Sequence, residues 1–168
     1  IWNAPAVHEG VLYFGAREYP NANITIAHNI FYNPGTTCLQ HNGRVSNLII
    51  DGNICYNVTN ASGISLEQGV HDSAVRNNVV FNTEVKPFVM FDYPEQSCVG
   101  APTIKPYDQT NNTIENNTFV VPAKKLDGTT LGTTPNILIS ANVPIGTTVD
   151  LGHNTFRNNL LINHSGGD

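Results

Sequence analysis

Charge is scarce in this chain. Only 12% of its 168 residues are Asp, Glu, Lys or Arg, and the 8 Lys and Arg are scattered along the sequence. Nucleic-acid binding needs a concentrated basic surface, so no nucleic-acid partner is expected. The net charge of −5 points the same way. No run of 18 apolar residues occurs, so no membrane-spanning helix is expected. Amphipathic runs of helix formers are nearly absent, which argues against a helical protein. Cysteine is limited to Cys38, Cys55 and Cys98, with no CxxC and no zinc spacing. The chain begins at Ile1 and shows no signal peptide, so it reads as a processed product or a piece of a longer chain.

What is present is repetition. Residues 23–33 read NITIAHNIFYN and residues 47–57 read NLIIDGNICYN. Residues 72–82 (DSAVRNNVVFN), 111–121 (NNTIENNTFVV) and 153–163 (HNTFRNNLLIN) follow the same pattern. Their central asparagines are Asn29, Asn53, Asn78, Asn117 and Asn159, separated by 24, 25, 39 and 42 residues. Self-similarity at a period in the twenties means stacked repeats, with inserted loops in the two longer intervals. Alternating apolar residues before each asparagine suit a strand with one buried face. Asparagine tolerates a left-handed backbone, so each central asparagine is expected to turn the corner itself. Stacked amides can also bond along the stack. A further strand signal lies between units, at residues 11–14, 37–40, 63–67, 88–92 and 136–140. Three short strands in about 25 residues describe a parallel β-helix. Residues 1–168 form one such domain, expected to belong to a larger protein or assembly.

GISLE at residues 63–67, followed by VRNNVVFN at 75–82, resembles the repeats of right-handed parallel β-helix proteins of the pectate lyase and polygalacturonase superfamily. The resemblance covers nearly the whole chain. It implies a right-handed coil, here of about five turns, with the asparagine ladder at the tight turn between the second and third strands. It also implies that substrate lies on the outer face of the first strand. The paired-aspartate, His-Gly and Arg-Ile-Lys blocks of polygalacturonases and the Arg-rich motif of pectate lyases are absent.

On the first strand, Leu39, Leu66, Phe91 and Ile139 are aligned inward. Gln40, Glu67, Asp92 and Ser140 then face outward, as do Cys38, Ser65, Met90 and Leu138 on the other side. Glu67 and Asp92 would thus stack on adjacent strands about 4.8 Å apart. Two such carboxylates would hold a cation, Ca²⁺ being the candidate, or act as acid and base. His41, Arg44 and His71 fall in the following turns, and by the resemblance would serve proton transfer or neutralise substrate charge. Gln40, Arg17, Tyr93, Lys105 and Tyr107 are candidate substrate-binding residues, the last three on a long insert. The expected function is a secreted or cell-surface lyase, hydrolase or epimerase acting on a polysaccharide. The alternative is a non-catalytic structural or glycan-binding module of a surface protein or tail fibre.

Other columns carry structural expectations. Of the column Ala27, Asp51, Arg76, Glu115 and Arg157, the last four alternate in sign and read as cross-strand charge pairs. Ile30, Tyr32, Ile54, Tyr56, Val79, Phe81, Val120, Leu160 and Ile162 form an outward apolar stripe, expected to meet a homo-oligomeric partner or neighbouring coils of a longer chain. Cys55 reads as a small core residue, Cys38 as outward, and a Cys38–Cys98 bridge is left open. Glycosylation sequons begin at Asn23, Asn57, Asn60, Asn111, Asn116 and Asn163.

Overall fold

The repeated unit folds as anticipated into short parallel strands. A computed structural model describes residues 12–14, 21–59, 61–92, 108–141 and 150–165. Sixteen strands occur among them: β1 (Leu12–Phe14), β2 (Asn21–Ala27), β3 (Ile30–Tyr32), β4 (Leu39–Asn42), β5 (Val45–Asp51), β6 (Ile54–Val58), β7 (Ile64–Glu67) and β8 (Val70–His71). Then come β9 (Ala74–Arg76), β10 (Val79–Thr83), β11 (Phe88–Asp92), β12 (Thr113–Glu115), β13 (Thr118–Val121), β14 (Ile137–Ala141), β15 (Thr155–Arg157) and β16 (Leu160–Asn163). No helix occurs among the described residues, so none is long and apolar enough to cross a membrane.

The strands form three parallel sheets: β1-β4-β7-β11-β14, β2-β5-β9-β12-β15 and β3-β6-β10-β13-β16. The chain visits the three in turn, which makes an all-β solenoid of the β-helix type. Its core is the inside of the coil. Ile50, Val75 and Ile114 stack from the second sheet, Phe31, Cys55, Val80 and Phe119 from the third, and Leu39, Ile64 and Phe88 from the first. Phe88 packs against Phe119 with ring centroids 5.6 Å apart. Burying a side chain of this size contributes about 1.5–3 kcal/mol. Gly63 lets the third sheet approach the first. A Cβ there would lie 2.3 Å from Val80 Cγ1 and 2.7 Å from the Pro87 carbonyl oxygen.

The asparagine ladder runs the length of the stack. The backbone N–H and side-chain Nδ2 of Asn29 both donate to Asn53 Oδ1. Asn53 donates in the same way to Asn78, Asn78 to Asn117, and Asn117 to Asn159, all at 2.9–3.1 Å. The left-handed residue, however, is not the ladder asparagine. It is the residue before it: His28, Gly52, Asn77, Asn116 and Asn158. The corner needs two residues, one to reverse the backbone and one to satisfy it. The charged column is also as expected. Arg76 Nε donates to Asp51 at 3.0 Å and Arg157 Nε to Glu115 at 2.7 Å. Exposed pairs of this kind contribute about 0.2–1 kcal/mol each.

One cysteine expectation is overturned, and the open question of a bridge is answered differently. Cys38 does not face outward but is fully buried, and it is bonded to Cys55 rather than to Cys98. Cys38 stands just before β4, where the chain is still crossing from the third sheet to the first. Strand alternation does not apply there, so its side chain reaches back to the third sheet. Cys98 lies outside the described residues.

Candidate functional site

The outer face of the first sheet is set by the register of β4, β7 and β11. Leu39 pairs with Ile64 and Ile64 in turn with Phe88, and His41 lies on the rung of Leu66 and Met90. All six are buried, so these two columns are the core side. The outward columns are Gln40, Ser65 and Val89, and then Asn42, Glu67 and Phe91. Glu67 therefore faces outward as expected. Its neighbour on β11, however, is Phe91 and not Asp92.

That difference has a local cause. Ile64 follows the ladder residue Asn53 by eleven positions, whereas Phe88 follows Asn78 by ten. The turn into β11 is one residue shorter than the turn into β7. A one-residue change moves every side chain to the opposite face. Met90 consequently enters the core and Phe91 leaves it, the reverse of the sequence expectation. Asp92 lies one residue beyond the Glu67 rung, paired with Ala141. Glu67 and Asp92 therefore do not share a rung of the sheet. The Asp92 side chain is outside the described set, as are Arg17, Tyr93, Lys105 and Tyr107.

Glu67 is instead built into a small polar network. Ser65 Oγ donates to Glu67 Oε1 at 2.7 Å, and Gln40 Nε2 donates to the same oxygen at 3.2 Å. Ser65 is buried, while Gln40, Glu67 and Phe91 are half-buried. A carboxylate fixed from two sides thus lies one rung from an aromatic ring, on a face that borders solvent.

The three turn residues separate. His41 belongs to the core, where burial lowers its pKa to about 4. It stays neutral at pH 7 and cannot serve the outer face. Arg44 lies in the turn after β4 and is half-buried. His71 lies around the corner, on β8 beside Ser46 of the second sheet. Its Nδ1 is 2.8 Å from Asp72 Oδ2. That bond, helped by Asn111, holds the Asp72 carboxyl below its usual range. Among the described residues, no group of three His, Cys, Asp or Glu side chains could hold a metal ion.

The third sheet presents the apolar stripe. Ile30, Ile54, Val79 and Leu160 are exposed. Beside them Tyr32, Tyr56 and Phe81 form a ring stack with centroid separations of 4.8 and 5.0 Å. An open groove next to it is lined by Phe81, Asn82, Val120, Pro122, Ala123 and His164.

Sequence reading missed a second ladder, at the corner between the first and second sheets. Leu48 N–H donates to Ser73 Oγ, Ser73 N–H to Asn112 Oδ1, and Asn112 N–H and Nδ2 to Asn154 Oδ1. The signal was available, because each of these residues stands five before a long-ladder asparagine. Comparison with family models, curated proteins and solved structures returns no match.

Proposed function

We propose that this chain is a secreted, glycan-binding module of a right-handed parallel β-helix with about five coils. Right-handed winding is the sense that twisted parallel strands favour in crossover connections. Secretion is supported by the Cys38–Cys55 disulfide, since such bonds persist in oxidising compartments. The carrying observation is the pairing of Glu67 with Phe91 on the outer face of the first sheet. An aromatic ring offers an apolar surface to the C–H face of a sugar. A carboxylate held by Gln40 and Ser65 accepts hydrogen bonds from sugar hydroxyls in a fixed direction. The repeat along the stack suits a linear polysaccharide.

Lyase, hydrolase or epimerase chemistry would need a second acid–base group beside Glu67. Arg44 is a candidate for the substrate's charge, and Asp92 for a bound Ca²⁺ ion. The test is calorimetric titration with neutral and acidic oligosaccharides, with and without Ca²⁺, alongside a reducing-sugar assay and ultraviolet detection of unsaturated products. Binding without turnover is expected. Glu67→Gln and Phe91→Ala should each weaken it at least about tenfold, with an unchanged circular dichroism spectrum. Turnover abolished by Glu67→Gln would establish the enzyme instead. Neither binding nor turnover would leave a purely structural module.

A further inference from the structure

Two columns of the third sheet end at the same place. On its outer face Tyr32 pairs with Tyr56, and Tyr56 with Phe81. The next residue of that column is Val120, which pairs with Phe81. The rings of Tyr56 and Phe81 are parallel within 2°, with centroids 5.0 Å apart. Tyr56 thus covers one face of Phe81. The other face looks along the stack to a side chain too small to cover it. A polar column runs beside the rings. Asn33, Asn57 and Asn82 all have a left-handed backbone. Asn57 Nδ2 donates to Asn33 Oδ1, and Asn82 Nδ2 donates to Asn57 Oδ1. The next coil places Val121 there, turned into the core and fully buried. Asn82 Oδ1 therefore has no donor among the described residues. Both column ends open into one groove of about 540 Å³. Phe81 and Asn82 bound it on one side and His164, two coils further along the stack, on the other. Val120, Pro122 and Ala123 lie between them.

We infer that this groove is a second glycan site, separate from the first-sheet face, which takes one neutral pyranose unit. Mostly apolar concavities of about 300–1,000 Å³ with a few placed polar groups are the usual form of a small-ligand site. Two coils span about 10 Å, so a ring lying on Phe81 has room above Val120. A pyranose has an apolar C–H face, which lies on the open face of the Phe81 ring. Its hydroxyls surround that face. One donates to Asn82 Oδ1, where the amide of a further ladder residue would otherwise donate, and another meets the His164 imidazole. The sugar thus continues both columns by one rung. The ligand is neutral because no Asp, Glu, Lys or Arg lines the groove. A heteroaromatic ring would also stack, but it gains most when aromatic rings cover both of its faces. Phe81 is the one aromatic side chain lining this groove, and the groove is open to water, which suits a ligand polar along every edge.

Titration of the ¹⁵N-labelled chain with the methyl glycosides of glucose, galactose and mannose, and with adenosine, tests this by nuclear magnetic resonance. At least one glycoside should shift the Asn82 side-chain amide and the His164 backbone amide, a readout that needs no variant. Val120→Tyr supplies the next ring of the column and should weaken that binding at least about tenfold, with an unchanged circular dichroism spectrum. Phe81→Leu keeps the bulk and loses the ring, and should weaken it by a similar factor even if Val120→Tyr does not fold. Shifts confined to Gln40 and Phe91 would put the sugar on the first sheet alone and overturn this site without touching that one. No shift with any glycoside overturns it as well. So does undiminished binding in a folded Val120→Tyr or Phe81→Leu variant. Adenosine binding more tightly than every glycoside overturns the sugar in favour of a heteroaromatic ligand.

Discussion

The second sheet is built differently at its two ends. In the first two coils, β2 and β5 are unbroken strands of seven residues, and Ile24 and Leu48 pair within them. Leu48 is fully buried. In the later coils the same position carries Ser73, Asn112 and Asn154. The strand breaks there into β8 and β9, and then shortens to the three residues of β12 and β15. Where the residue is apolar, the backbone runs straight and the side chain fills the core. Where it is polar, the backbone bends and the side chain serves a backbone N–H of the preceding coil. The long ladder shows no such change, because its column is asparagine in every coil. A corner amide stabilises a coil when the neighbouring coil carries a partner at the same place.

The comparison can be broken hardest in the middle of the long ladder. Asn78 is buried and donates to Asn117 Oδ1 and to the Ile50 and Arg76 carbonyls, while its own oxygen accepts from Asn53. Leaving a buried group unpaired costs about 1–3 kcal/mol. Asn78→Ala is expected to cost about 4 kcal/mol or more in urea unfolding. Asn154→Ala, at the outer end of the short ladder, should cost less than half as much. Equal losses would show that the rungs act independently of depth.

A second break lies in the first sheet, where His41 occupies the column that Leu66 and Met90 fill with apolar side chains. Its pKa is lowered from 6.5 to about 4 by burial. The unfolded chain therefore binds this proton first as the pH falls. Stability is unaffected above the unfolded value and is lost progressively between about pH 6.5 and 4. At pH 4 the loss is about 3 kcal/mol. His41→Leu, which copies Leu66, should flatten the melting temperature over this window. An unchanged slope in that variant would remove His41 as the cause. The lowered carboxyls of Asp51, held chiefly by Asn77, and of Asp72, held chiefly by His71, act only below the usual carboxylate range.

The smallest effect sharpens the contrast between the two halves of the second sheet. Ser73 Oγ accepts from Leu48 N–H and donates to the His71 carbonyl. Ser73→Ala should cost about 1–2 kcal/mol. Ser73→Asn, which extends the short ladder by one full rung, should cost less than the alanine. If both variants lose the same amount in thermal unfolding, the hydroxyl acts through its small size and not through its bond.

The fold was legible because its signals are local. Period-two alternation placed Leu48 and Ile50 in the core. The repeated asparagine marked the corner, and alternating charges marked the outer column of Asp51, Arg76, Glu115 and Arg157. The candidate site was legible only in part. Glu67 was assigned to the correct face. Its partner was missed because FVMFD at residues 88–92 is apolar at four consecutive positions, so alternation cannot say which residues face inward.

By itself, then, the sequence determined the parallel repeat, the three strands of each coil and the long ladder, since each is a pattern held within a coil. Tertiary structure decided the rest. Whether Phe91 or Asp92 stands beside Glu67 depends on a turn one residue shorter than its neighbour. Whether Cys38 meets Cys55 depends on how the chain crosses between sheets. Whether Ser73 joins a ladder depends on Asn112 arriving beside it from 39 residues away. The first and the last are relations between coils, fixed by backbone hydrogen bonds across the stack, and the second is a relation between sheets within one coil.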